Sequence, residues 1–505
     1  MVSDTTAPGR ADKRELLQTV TFGQRVAEEE IESLESYFVE TDQWRRILAG
    51  DIDVVFGPKG SGKSAIYFLL LARENELFDR GIILTAAENP RGTPAFRDLV
   101  EDPPTSEGEF RALWKLYLLS LVGTQFREYE VTTPGSQRLV RELEAAGLLD
   151  ETASLSGTIK SVLHYVRRWL MPASIEGGIQ IDPTTGMPVG MVGKITLAEP
   201  SREQRTAGFI SADQLFGIAD EALGQQGLKL WLVLDRLDVA FAETRELEQN
   251  ALRALFRVYV DNLGLENVCL KIFLRDDLWK RITEAGFREA SHITRDITIQ
   301  WNDQALMNLI IRRVLQNDAL CQYYDVDQET VLASADAQEE LFYRMFPDQV
   351  EPGLRRPATF KWMLTRTQDG FGRTAPRELI HLLEAVRTAQ ILTIEQGEEL
   401  PPGEVLFSTA GVKSGLPEVS RVRLEQTLYA EYPELKARME ALDGGKTDQS
   451  VASLARLWRV NEHTARSVAQ KLIEIGFFEQ RADSFWVPFL YRDALNMVQG
   501  SAEIE

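Results

Sequence analysis

The stretch Gly57-Pro58-Lys59-Gly60-Ser61-Gly62-Lys63-Ser64 constrains this chain more than any other. It has glycine, four variable positions, then glycine, lysine and serine, and its flanks are those of a phosphate cradle. Asp53-Val54-Val55-Phe56 predicts a buried strand, and Ala65 to Leu71 predicts a helix. Glycines let backbone N–H groups turn inward around a phosphate. The first helical turn adds its own unpaired N–H groups and the positive end of its dipole. Gly57, Pro58, Lys59, Gly60, Ser61, Gly62, Lys63, Ser64 and Ala65 are the expected phosphate-binding residues. Lys63 is expected to reach the β- and γ-phosphates, and the Ser64 hydroxyl to bind Mg²⁺.

A second element gives that cradle a counterpart. Leu230 to Leu234 is an apolar run closed by Asp235, which is expected to hold Mg²⁺ opposite Ser64. The residue after it is Arg236, where many nucleotide hydrolases place a glutamate. The next carboxylate is Asp238, read either as the base that polarises water or as a cap of the following segment, with Glu243 as second choice. Val268 to Leu274 predicts another strand, ending in Arg275. That guanidinium either senses the γ-phosphate or pairs with Asp235, Asp276 or Asp277. Further on, Pro376 suits a first helical position, and Arg377 follows it. Arg377 either neutralises charge developing during phosphoryl transfer or is a surface arginine at a helix start, with Arg373 as second choice. The histidines show no metal spacing.

Organisation along the chain follows from periodicity. Residues 1 to about 20 read as a disordered lead-in, and Ala27 to Ile31 as the opening of a helix running toward Phe38. A helix from Thr41 to Leu48 either covers a nucleotide base or simply packs. Alternating strands and helices predict an α/β domain over 21–300 with a mostly parallel sheet covered on both faces. An insertion at about 127–212 interrupts it. There Ile175–Asp182 and Gly190–Leu197 predict a β-hairpin around Pro183 to Pro188, serving as a partner contact or a flap. A helical lid is expected over 301–400. Pro401-Pro402-Gly403 and Ser414-Gly415-Leu416-Pro417 then read as loops or a linker.

The tail, 418–499, predicts a winged helix. Val451 to Trp458 is a short helix, Asn461 caps a second helix from Glu462 to Ile475, and Gly476 ends it. A hairpin comes next, around Arg481-Ala482-Asp483. Thr464, Arg466, Ser467, Gln470 and Lys471 have the chemistry to read a major groove. Yet Lys446 to Asp493 holds seven basic residues against six acidic ones, which is no basic footprint. DNA contact and an internal or protein-facing role both stay open.

These motifs together resemble the AAA+-related P-loop ATPases, in the region where the origin-recognition, STAND/NACHT and KAP groups meet. The likeness rests on the glycine loop, Leu230 to Asp238, the strand ending in Arg275, Thr374-Ala375-Pro376-Arg377-Glu378-Leu379 and the tail. It spans roughly residues 20–390. Phe22 to Glu30 and Tyr37 to Trp44 also resemble a bacterial P-loop ATPase family. The resemblance implies a sensor-1 role for Arg275, a sensor-2 role for Arg377, ATP and Mg²⁺ as ligands, and a nucleotide-driven switch that self-assembles or binds a protein partner. A place in phage defence or DNA maintenance comes with the same analogy. Arg236 departs from the pattern and implies slow hydrolysis.

Composition sets the remaining bounds. A net charge of −21 over 505 residues opposes general attraction to nucleic acid, so DNA contact needs a local patch. No apolar run of about 18 residues predicts a membrane span. Two cysteines, Cys269 and Cys321, cannot build a disulfide framework, and the polar start lacks a secretion leader, so a cytoplasmic setting is expected. An ATPase switch is the first expectation. An ATP-locked DNA-binding protein with negligible turnover is the alternative. A GTPase or nucleotide kinase ranks third, because no base-reading N/T-K-x-D motif is present.

Overall fold

The computed structural model describes residues 13–502, except 25, 27–28, 32, 90–94, 97–102, 105, 151–153, 171–193, 238–244 and 285. The chain divides into two units. One holds Thr41–Pro58 and Lys63–Ile299; the other holds the described residues up to Glu40, Lys59–Gly62, and the described residues from Gln300 onward.

The first unit is mixed α/β. Its strands are β1 (Val54–Gly57), β2 (Ile82–Ala86), β3 (Ile195–Thr196), β4 (Ile210–Ser211), β5 (Lys229–Leu234), β6 (Val268–Arg275) and β7 (Asp296–Thr298). Five of them form a sheet in the order β2-β5-β6-β1-β7, and every pairing in it is parallel. Parallel strands are covered on both faces, which is why β1 and β5 are continuous apolar runs rather than alternating ones. The chain goes from β1 to the far edge at β2, returns through β5 and β6, then crosses β1 to reach β7. Both neighbours of β1 thus come from later segments. In open α/β sheets the crevice at such a reversal, outside the carboxyl ends of the strands, is where ligands bind.

A buried ion pair ties β1 to β6. Asp53, just before β1, accepts from Lys271 Nζ at 2.8 Å and from the Tyr259 hydroxyl at 3.2 Å, and Arg295 lies 3.2 Å away. Lys271 also donates to the Ile52 carbonyl at 2.6 Å and sits over the Trp231 ring. Burial pulls the lysine below its ordinary range, and Asp53 pulls it back up. The helix Asp42–Ala49, capped by Thr41, buries Trp44 and Ile47.

The stretch 127–212 contributes to the same core. Helices Pro134–Ala145 and Leu155–Leu170 place Leu139, Leu143, Ile159, Val162 and Val166 among the residues of β5 and β6. Most of the expected hairpin, 175–193, lies outside the described residues. Its described end, Ile195–Thr196, pairs in parallel with β4.

The second unit is helical, with one small sheet. Helices Asp303–Val314, Ala335–Met345, Thr359–Thr367 and Pro376–Glu395 lead to a tail built as β8 (Lys446–Ser450), helices Val451–Trp458 and Glu462–Glu474, β9 (Glu479–Arg481), β10 (Ser484–Trp486) and β11 (Val498–Ser501). The sheet order is β11-β8-β10-β9. Asn461 Oδ1 accepts from the Thr464 N–H at 2.8 Å, the cap expected there.

Three expectations are corrected here. The lead-in is not disordered from residue 13: Lys13–Thr19 is a helix, and Leu16, Leu17, Val20 and Phe22 sit in the core of this unit. Arg387 holds its end by donating to the carbonyls of Leu17 and Gln18, and the buried Arg313–Glu30 pair anchors the chain just beyond it. The helix expected from Ala27 toward Phe38 is, in its described part, 3₁₀ structure at Glu29 and Leu34–Tyr37 rather than a continuous α-helix. Of the two segments read as loops or a linker, Pro401-Pro402-Gly403 is a loop, whereas Ser414-Gly415-Leu416-Pro417 falls where helices Thr409–Ser414 and Leu416–Arg423 meet, with Leu406, Phe407, Val412 and Leu416 in a core that runs on into the tail. Sequence punctuation by proline and glycine marks a turn; it does not say whether flanking apolar residues find a core. No helix among the described residues is long and apolar enough to cross a membrane.

Replacing Lys271 by methionine leaves Asp53 buried with only Arg295 and Tyr259. A loss of about 3 kcal/mol in urea unfolding is expected, the range for breaking a buried pair.

Candidate functional site

The glycine loop joins β1 to the helix Lys63–Ala72. Gly60 and Gly62 have φ of +82° and +96°, a region that side chains resist, so the loop needs glycine at both positions. At its stem, Lys63 is buried and donates to the carbonyls of Gly57 and Pro58 at 2.9 and 3.0 Å. Ser64 and Ala65, the next two residues of the helix, are half-buried. Ser61 Oγ is buried and has no hydrogen-bond partner among the described residues.

Register sets what stands beside the stem. Gly57 pairs with Arg275, so the last residue of β6 adjoins the start of the loop. Arg275 makes a two-pronged pair with Asp277, both contacts at 2.9 Å, the ion-pair alternative in one of its three expected forms. Arg281 adds a contact to Asp277 at 3.4 Å. Burial pushes the Asp277 carboxyl up, but Arg275, then Arg281 and Lys63, outweigh it and hold the group below its usual range. Asp277 is therefore an anion that feels Lys63, a part that sequence reasoning offered only as a partner for Arg275.

Asp235 is buried at the tip of β5. Arg236 follows with φ of +58°, uncommon for a residue with a side chain. The chain thus turns sharply straight after the carboxylate, at the position where the sequence departs from the expected glutamate. Asp238, proposed from sequence as the base, and Glu243 lie outside the described residues.

Sequence reasoning missed a second carboxylate at this edge. In the β2–β5 pairing Ala86 stands opposite Val233, and the Ala87 N–H donates to the Val233 carbonyl at 2.8 Å. Continuing that register sets Glu88 abreast of Asp235. Glu88 is 1% exposed; its Oε1 accepts from the N–H groups of Asn89 and Ala95, and its Oε2 has no hydrogen-bond partner among the described residues. Burial raises its carboxyl, against those backbone bonds and Arg236. Tyr67, one turn into the loop's helix, is raised by burial and then by both Asp235 and Glu88. The available signal was an apolar strand, Ile82 to Ala86, ending near a carboxylate, the same pattern that singled out Asp235.

The loop's apex, Lys59–Gly62, belongs to the helical unit. Lys59 pairs with Glu431. Trp301 Nε1 donates to the Ser61 carbonyl at 2.8 Å. A Cβ on Gly60 would lie 2.9 Å from Arg377 Cβ, so the start of helix Pro376–Glu395 packs directly on the loop. Arg377 is half-buried there, while Arg373 is exposed and stacks on Phe371. Buried Glu378 pairs with Arg423 at 2.8 Å.

Two outcomes test this geometry. Gly60→Ala is expected to cost about 1–3 kcal/mol, combining left-handed strain with the clash on Arg377. Gly147→Ala, at φ of +70° with nothing within 4 Å, should show the strain alone; urea titrations compare them. Asp277 has a folded pKa below its unfolded one, so its stabilisation is full above about pH 4 and is lost as pH falls through the lower value. Asp277→Asn should flatten the fall in melting temperature over that acid window.

No protein-family model matches the chain, and no curated protein matches it.

Proposed function

We propose that this chain is an ATP-binding switch of the P-loop class that hydrolyses ATP slowly and whose nucleotide state controls self-assembly or partner binding. The observation that carries this reading is the glycine loop. Its two glycines in left-handed conformations open a nest of N–H groups at the carboxyl edge of a parallel sheet, with a buried lysine at its stem.

The residues fit a triphosphate and Mg²⁺. Ser61 Oγ is a buried hydroxyl lacking an acceptor, as an anion site would leave it. Ser64 and Asp235 would hold the ion, and a magnesium ion supplies charge neutralisation across phosphate oxygens when bound. Lys63 would give up the Gly57 and Pro58 carbonyls for phosphate oxygens. Arg275, drawn toward Asp277, is poised to exchange that carboxylate for a γ-phosphate. Arg377 packs on the loop at Gly60, which supports a role in reporting what the loop holds. Its helix connects through Glu378 to Arg423, so a shift at the loop has a charged, buried route into the second unit's core. The tail reads best as a winged helix.

The alternative, an ATP-locked DNA binder, is favoured by one observation: Arg466, Ser467, Gln470 and Lys471 all lie on helix Glu462–Glu474 with their side chains at least partly open to solvent.

Fluorescent ATP titration with Mg²⁺, sedimentation and phosphate release test both readings together. Lys63→Ala should weaken ATP binding at least about a hundredfold; tight binding by that variant removes the phosphate-cradle reading. Tight binding by the parent chain with no phosphate release, and a salt-dependent DNA complex, selects the alternative.

A further inference from the structure

We propose that Glu88 is the carboxylate that orients and deprotonates the attacking water, a role resting on the ATPase reading above. A hydrolase needs a carboxylate near the γ-phosphate with one oxygen left for water. Arg236 follows Asp235 where a glutamate would ordinarily serve, and its left-handed φ turns the chain at once. The neighbouring strand supplies what β5 does not. The β2–β5 register carries Glu88 to the level of Asp235, and adjacent strands lie about 5 Å apart.

The segment bearing Glu88 is firmly held. The Tyr117 hydroxyl donates to the Ala87 carbonyl at 2.8 Å, and the Ala87 N–H extends the ladder. Tyr67 reaches from the helix that begins with Lys63 and Ser64, its hydroxyl 3.5 Å from the Glu88 carbonyl. That contact links Glu88 to the phosphate-binding helix. Within the side chain the two oxygens differ. Oε1 is committed to backbone N–H groups, those of Asn89 and Ala95, which fixes the carboxylate's orientation. Oε2 is buried and accepts nothing among the described residues. The Phe96 N–H also acts on this carboxylate, so the backbone amides of three residues hold it in place.

The step balances simply. The water oxygen forms a bond to the γ-phosphorus while its proton passes to Glu88 Oε2. The bond between that phosphorus and the β–γ bridging oxygen breaks, and its electron pair stays on ADP. Glu88 then returns the proton to solvent as phosphate leaves.

The test compares Glu88→Gln, Glu88→Asp and Asp238→Asn in the full chain, reading ATP affinity by fluorescent-analogue titration and phosphate release under single turnover. Glutamine keeps the oxygen that accepts from the backbone amides, so folding and ATP affinity are expected to stay within about threefold of the parent. Turnover should fall by about a hundredfold or more, the usual worth of a positioned base. Glu88→Asp, shorter by one methylene, should show the same split; loss of turnover in Asp238→Asn beside parental turnover in Glu88→Gln assigns the base to Asp238 and overturns the proposal. Parental phosphate release by Glu88→Gln overturns the proposal while leaving the ATPase reading intact. Loss of stability in Glu88→Gln and Glu88→Asp makes Glu88 a core residue and overturns it too. A parent chain that binds no ATP sinks the underlying reading instead.

Discussion

Lys63 folding back onto the carbonyls of Gly57 and Pro58 is the contact around which the candidate site is arranged. It closes a turn that only glycine at positions 60 and 62 can make, and it starts the helix whose first turns face the carboxyl edge of the sheet. That buried ammonium and the two left-handed glycines are the features on which the ATP-binding proposal rests.

Charge elsewhere in the sheet unit is handled in matched pairs. Asp53 and Lys271 meet under β1, where the lysine also finds a carbonyl and an indole face. Arg275 and Asp277 meet at the opposite, carboxyl end of β6. The first pair is sealed in the core and its loss is structural. The second is partly exposed, and Lys63 also acts on its carboxylate. One strand thus carries a sealed pair at its middle and a partly exposed pair at its carboxyl end.

The helical unit is organised by apolar continuity. One core accepts the helix Lys13–Thr19, the helices after Asp303 and the tail. This gives the Arg377-bearing helix a rigid seat, since its neighbours Glu378 and Arg423 are paired beneath it.

The glycine loop, the apolar strands, the Asp235 carboxylate and the helix pair of the tail were legible along the chain, because each is governed by neighbours close in sequence. Strand periodicity, left-handed glycines and caps such as Asn461 are local physics. The role of Glu88 was not legible in this way: a carboxylate after an apolar strand means little until a parallel register sets it beside another, and register is a property of two strands separated by 147 positions, as in the pairing of Ala86 with Val233. The ordered start and the helices around Ser414 to Pro417 were not foreseen for a related reason. Leu16, Leu17, Leu406 and Phe407 look like isolated apolar residues until helices far along the chain supply a core to receive them. The amino-acid sequence by itself determined the cradle and the strands that carry it. Only the tertiary structure decided which charges stand abreast at the sheet's edge, since burial and pairing across long separations are settled by packing.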